Sequence, residues 1–345
     1  MIPIQNIYYM LSYAFQVLNE QGYKNIATEQ FHNTAELMAA ILEKGIAIQL
    51  KRGLGKEYIP QTEALSSLRG KIDIAESIKT QSMLRKQLIC TYDEFSVNSI
   101  MNRIIKSTVE LLLRSNISKQ RKKNLRKLMV YFSEVDFIDS YTVNWNVQYN
   151  RNNQTYRMLI SICYLVVKGL LQTQSNGHTK LMDFLDEQRM CRLYEKFILE
   201  YYRKEFKNQI TANASQIPWQ LDNEENSMLP VMQSDIMLQS GEKVLIIDAK
   251  YYEHSTQVQF DKHTLHSGNL YQIFTYVKNK EYELREKDHT VSGMLLYAKT
   301  DEEIYPNNVY QMSGNQITVR TLDLNLPFDE IAGQLNTIAK THFDL

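Results

Sequence analysis

A chain of 345 residues has room for two domains, each with its own core. Hydrophobic residues make up 43% and charged residues 23%, the composition of an ordinary folded protein rather than a disordered or membrane-embedded one. Lys plus Arg and Asp plus Glu both count 39, which argues against coating nucleic acid by bulk charge and leaves only a local basic groove open.

The opening MIPIQNIYYMLSYAFQ has neither a basic n-region nor a small-residue cleavage site, so no signal peptide is expected. Apolar residues at helical spacing predict helices over 4–18 and 35–52, the second ended by Gly53 and Gly55. The segment YIPQTEALSSLRGKIDIAESI alternates short runs around a Gly and predicts strands and turns. A strong helix is expected over 95–113, with Ser96 or Asn98 as its cap. Residues 115–127 hold Lys119, Arg121, Lys122, Lys123, Arg126 and Lys127, which read as a solvated helix face or, alternatively, a phosphate-contacting patch. Residues 132–149 look irregular or extended. An apolar helix follows over 158–171, broken by Lys168 and too short to span a bilayer comfortably.

The polar stretch QTQSNGHTK, 172–180, is the best linker by composition. It divides the chain into an N-terminal domain, 1–175, and a C-terminal domain, 176–345. Beyond it a helix over 188–206 precedes strands near 217–221, 228–238 and 244–251, then a helix near 270–278 and a strand over 290–298. That order gives an α/β or α+β fold with a mixed central sheet flanked by helices, preceded by a mixed, largely helical first half. Cys90, Cys163 and Cys191 lie in apolar-periodic stretches without zinc spacing, as buried thiols in a reducing, cytoplasmic compartment would.

The chemistry concentrates in LPVMQSDIMLQSGEKVLIIDAKYY. Two apolar strands flank Ser240-Gly241-Glu242-Lys243, and Gly at the first central position suits a two-residue type II′ turn. In that register Asp235 stands opposite Asp248, which puts their Cβ atoms about 4.5–5.5 Å apart. Carboxylates so close repel unless a cation lies between them. Lys250 shares the face of Asp248, because residues two apart on a strand point the same way. Two Asp oxygens and the Ala249 carbonyl make a hard donor set suited to Mg²⁺, with Mn²⁺ as a substitute. A metal-dependent phosphodiesterase site of the PD-(D/E)xK type is expected, and a plain surface hairpin with a Lys–Asp salt bridge is the alternative.

Flanking residues extend the site. Gln272 and Tyr276 are four apart on one helix face, as in RecB-like nucleases, where such a pair would hold a DNA phosphate or the carboxylates. Glu195, between Tyr194 and Phe197, is placed to reach the metal. His254, His263 and His266 match no zinc motif and read as exposed loop residues. Gly53-Leu54-Gly55-Lys56-Glu57 lacks the Walker A spacer and its Ser/Thr, so no nucleotide is expected on this chain.

In order along the chain, IPIQNIYYMLSYA, RGLGKEYIPQTEALSSLRGKIDI, YDEFSVNSIMNRIIKSTVELLL, LYEKFILEYY and the Asp235…Asp248-Ala249-Lys250 hairpin resemble the McrC family of McrBC-type, 5-methylcytosine-specific restriction systems. The resemblance covers nearly the whole chain and departs at Ser234-Asp235, where the PD-(D/E)xK signature has Pro-Asp. It implies a restriction-endonuclease-like C-terminal domain. It also implies an N-terminal part that docks on a McrB-like AAA+ GTPase ring and stimulates its GTP hydrolysis. Cleavage of methylated double-stranded DNA would follow. Two other readings stay open: a non-cleaving activator of the GTPase, and a stand-alone RecB-like exonuclease.

Overall fold

The computed structural model describes residues 2–19, 23, 26, 29, 31–151, 153, 155–175, 187–222, 228–251, 257–259, 262–299 and 305–345. In chain order the elements are α1 (Ile4–Ala14), α2 (Thr34–Arg52), β1 (Glu57–Leu65), β2 (Lys71–Asp73), α3 (Ile74–Lys79), β3 (Leu88–Ser96), α4 (Ile100–Arg114), α5 (Lys119–Met129), α6 (Tyr156–Ser175) and α7 (Glu187–Glu205). Then come β4 (Thr211–Asn213), β5 (Gln216–Ile217), β6 (Met232–Gln233), β7 (Ile236–Ser240), β8 (Lys243–Lys250), β9 (Gln257–Gln259) and β10 (Lys262–Thr264). The chain closes with α8 (Ser267–Glu283), β11 (Thr290–Ala298), β12 (Asn308–Met312), β13 (Asn315–Leu322) and α9 (Phe328–Phe343).

These elements form two compact units, one of Thr28–Phe184 and one of Met1–Ala27 together with Leu185–Leu345. A contiguous division at 175 does not describe this, because α1 joins the second half. Asn6 Nδ2 donates to the carbonyls of Leu324 and Leu326, both at 2.8 Å. Tyr9 stacks on Phe328 with ring centroids 4.4 Å apart, and the Tyr13 hydroxyl donates to Glu205 at 2.9 Å.

In the unit of Thr28–Phe184, α2 starts on Asn33, whose side chain accepts from the Glu36 amide at 2.8 Å, and ends at Gly53 with φ +89°. Helices α2, α4 and α6 pack together beside a three-stranded antiparallel sheet of order β1-β3-β2. The helix expected from 95 begins later. Phe95 is taken by the β3 ladder opposite Tyr58, and Ser99, not Ser96 or Asn98, caps α4 by accepting from the Asn102 amide at 3.4 Å. A ladder partner holds residues 95 and 96 extended against their helical spacing. No helix or strand forms over 133–151, in keeping with the irregular sequence there. Helix α6 extends to Ser175, so the first residues of the expected linker are helical; 176–180 lie outside the described residues. Among the described residues no helix is long and apolar enough to cross a membrane.

The other unit is built on a six-stranded sheet of order β12-β13-β11-β8-β7-β4. Strands β8, β11 and β13 are parallel to one another, whereas β7, β12 and β4 pair antiparallel with their neighbours, so the sheet is mixed as expected. Helix α8 makes the crossover that parallel β8 and β11 require. Its Ile273 and Val277 bury against Val244, Ile246, Val291, Leu295, Ile317 and Val319. Gly293 permits this close seat. A Cβ there would come within 2.8–2.9 Å of Ile273, Ile317 and Val277. Helices α7 and α9 lock together through the Tyr202 hydroxyl on the Leu335 carbonyl at 3.0 Å and the Tyr201 hydroxyl on Asn336 at 2.8 Å.

The strand expected over 228–238 is broken into β6 and β7, and the one over 217–221 shrinks to β5. The break is Ser234-Asp235. Ser234 is buried, and its amide and hydroxyl both donate to the Ser215 carbonyl, at 3.0 and 3.1 Å.

Candidate active site

The hairpin register is the one the turn predicts. Ile236 pairs with Ile247 and Ser240 with Lys243, which places Asp235, one residue before the ladder, across from Asp248. Gly241 has φ +57° and Glu242 a negative φ, the combination of a type II′ turn. The Ser234 anchor on Ser215 turns Asp235 out of the strand, where its Oδ2 accepts from the Ala249 amide at 3.0 Å.

Asp248 is buried, with 1% of its surface exposed. Its Oδ1 accepts from Lys250 Nζ at 2.9 Å. Its Oδ2 is buried and receives no donor. The Asp235 carboxylate faces it closely enough to bond only when one of the two is protonated. Burial pushes the Asp248 carboxyl up to about 7, the Lys250 ammonium opposes this, and the Asp235 charge adds to it.

Lys250 is fixed from two sides. Besides Asp248 it donates to Gln272 Oε1 at 3.3 Å, and Gln272 Nε2 in turn donates to the Tyr276 hydroxyl at 3.0 Å. The i,i+4 pair on α8 therefore acts as a clamp behind the lysine. Alternation along β8 sends Lys250 and Asp248 to the α8 side, which is why the clamp and the carboxylate meet.

On α7, Glu195 lies near enough for the Asp235 charge, after burial, to raise its pKa. Its Oε1 accepts from the Cys191 thiol at 3.0 Å, and the same sulfur is 3.9 Å from the Ala249 carbonyl. Cys90 and Cys163 are buried as expected, but Cys191 is only half-buried and belongs to the site. The i,i+4 spacing of Cys191 and Glu195 could have signalled this; the contact with Ala249 could not. Ser234 was missed for the same reason.

Among the described residues no three His, Cys, Asp or Glu side chains are arranged to share one ion. Asp235, Asp248 and Glu195 are thus not gathered on one point. Two carboxylates are brought together, one with a buried oxygen lacking a donor, beside the Ala249 carbonyl. That set fits a hard divalent cation such as Mg²⁺, which binds through one or two carboxylates and keeps waters for the rest.

His254 lies outside the described residues. The backbone of His263 is in β10 and His266 precedes α8 as its N-cap. In the basic run, Arg121 is tied into a carboxylate cluster with Glu29, Glu36 and Glu43 at 2.7, 3.3 and 2.9 Å; just before the run, at the end of α4, Arg114 pairs with Glu110 at 3.0 Å.

A family model described as McrBC 5-methylcytosine restriction system component matches residues 5–298. Over 331 residues, 94% of this chain and 93% of the relative, the sequence is 30% identical to the Type IV methyl-directed restriction enzyme EcoKMcrBC of Escherichia coli (strain K12). Among solved structures, a half-complex from a tetradecameric assembly of Thermococcus gammatolerans McrB AAA+ hexamers with bound McrC is 17% identical. It covers 97% of this chain and 76% of its own, with a TM-score of 0.49. The cryo-EM structure of the Thermococcus gammatolerans McrBC complex is 20% identical over 59% of each chain, with a TM-score of 0.42.

Proposed function

The chain belongs to the McrBC 5-methylcytosine restriction system family, and on that premise we propose that it is the DNA-cutting, McrC-like subunit. It is a Mg²⁺-dependent endonuclease that cleaves methylated double-stranded DNA together with a McrB-like AAA+ GTPase ring, whose GTP hydrolysis it stimulates. The observation that carries this reading is the buried, donorless Oδ2 of Asp248 set against Asp235, with Lys250 on the other oxygen.

Asp235, Asp248 and the Ala249 carbonyl would hold the ion, with Glu195 as an adjoining carboxylate. Bound there, Mg²⁺ supplies a water of lowered pKa and offsets charge on the phosphoryl oxygens. Lys250 presents a cation at the same spot, where negative charge grows on the phosphoryl group. The Gln272–Tyr276 clamp keeps that cation oriented before substrate arrives, so little reorganisation accompanies the reaction. Docking on a protein ring is supported by the surface of the Thr28–Phe184 unit. Leu68, Ile74, Ile78, Met83 and Leu84 are 54–81% exposed within one short stretch, and exposed apolar side chains concentrated in this way mark protein contacts.

The test incubates the chain with methylated DNA, Mg²⁺ and GTP, with and without the GTPase, alongside Asp248→Ala. Cleavage that needs both the partner and Asp248 is expected. Cleavage untouched by Asp248→Ala would sink the site; cutting with Mg²⁺ alone would favour an exonuclease; GTPase stimulation without cutting by the wild type would favour a regulator.

A further inference from the structure

Helix α5 carries cations that the fold does not use. Its sequence KQRKKNLRKLM holds no acidic residue. Leu125 is buried, and Arg121 is drawn inward by Glu29, Glu36 and Glu43. The same glutamates accept from Ser118 and Asn124, so the helix is held along its inner side. Lys119, Lys123, Arg126 and Lys127 are exposed and Lys122 is half-buried, and none of the five takes part in an ion pair among the described residues. Their positions recur every three to four residues, which lines them up away from Leu125. Two of the three glutamate charges remain after Arg121 is counted, and the five cations still exceed them. This surplus sits in a chain whose total charge is zero, so it is local, not a reflection of bulk composition.

We propose that the outer face of α5 binds the phosphate backbone of duplex DNA, a contact separate from the Asp248 site. The choice of DNA as ligand rests on the nuclease reading above. From Lys119 to Lys127 the helix rises about 12 Å, and duplex DNA carries one charge per about 1.7 Å of axis, so the row faces several phosphates at once. Lysine and arginine heads on an anchored helix position a duplex without reading its sequence.

The test replaces Lys119, Lys122, Lys123, Arg126 and Lys127 together by Gln, which preserves helix propensity. Fluorescence anisotropy of an unmethylated duplex is followed from low to moderate salt, in EDTA, without GTP or the partner. The wild type should bind, with a steep salt dependence. The Gln variant should lose about tenfold or more in affinity at low salt and about three to four from the log–log salt slope, at roughly 0.9 per phosphate. Converting only the four lysines to Arg should leave affinity and slope in place. Equal binding by wild type and Gln variant would overturn the proposal and leave a solvated face. In a separate GTPase assay of the same Gln variant with the partner, stimulation lost while DNA binding stays intact would overturn it in favour of the partner ring. Loss in the Arg variant as well would overturn it by showing that charge is not what binds. Because binding is read without Mg²⁺, a wild type that binds DNA but never cuts would sink the nuclease reading alone.

Discussion

Replacing Asp248 by Asn should stabilise the metal-free protein at alkaline pH while abolishing cleavage. The folded chain raises this carboxyl from 3.8 to about 7, first by burial and then against Lys250 by the nearby Asp235. A carboxyl whose folded pKa lies above its unfolded value favours the neutral form in the folded state. Its stabilising contribution is full below about pH 4, falls as pH rises, and is lost above about pH 7. At about 1.4 kcal/mol per pH unit, the ceiling is roughly 4 kcal/mol. Asn keeps the shape, carries no charge, and can aim its amide at Asp235 from the position where Oδ2 now lacks a donor. The assay is urea unfolding in EDTA from pH 5 to 8. The chain has two tryptophans, and in a Trp145→Phe background Trp219 alone reports on the unit that holds the site. The wild-type midpoint should fall toward pH 8, and the Asn variant should be flatter and more stable there. Adding Mg²⁺ at pH 8 should restore the wild type by mass action and leave the variant nearly unchanged. A variant less stable than wild type at pH 8 without metal would refute the reasoning, since the buried carboxylate pair would then not be a strained one.

Gly293→Ala should cost about 1–3 kcal/mol, because its Cβ would press on Ile273, Ile317 and Val277. The same unfolding assay checks it, and a change below about 0.5 kcal/mol would show that α8 can shift freely. Arg121→Ala should cost about 3 kcal/mol by leaving Glu36 and Glu43, 11% and 21% exposed, without their cation. Trp145 reports this in a Trp219→Phe background, and adding Glu43→Gln should recover part of the loss. A cost under about 1 kcal/mol would place these pairs with ordinary surface salt bridges.

Much of the site is legible in the sequence. The Gly241-Glu242 turn fixes the pairing of β7 with β8, and period-two alternation puts Asp248 and Lys250 on one face. The i,i+4 spacing of Gln272 and Tyr276 likewise survives as a hydrogen bond. Less legible is the end of the chain. Strands β12 and β13 and helix α9 drew no expectation, although β13 is paired to β11 over six residues. Residues 95 and 96 follow their ladder partners Tyr58 and Glu57 instead of the helical period that begins just after them.

What the sequence determined by itself is therefore what short-range geometry controls: the hairpin, its register, the shared face of Asp248 and Lys250, and the helix pair behind the lysine. Each depends on residues a few positions apart, or joined by one tight turn, and so leaves a period that can be read. Tertiary structure decided the rest. It set the Cys191 thiol against Glu195 and the Ala249 carbonyl, and pinned Ser234 to Ser215 so that Asp235 turns toward Ala249. It moved α1 into the unit of the second half through Asn6 and Leu324. It also sorted one basic run into an anchored arginine and five outward cations. These contacts join residues distant in the chain, chosen by burial and by the need of buried polar groups for partners, and neither requirement imprints a spacing on the sequence.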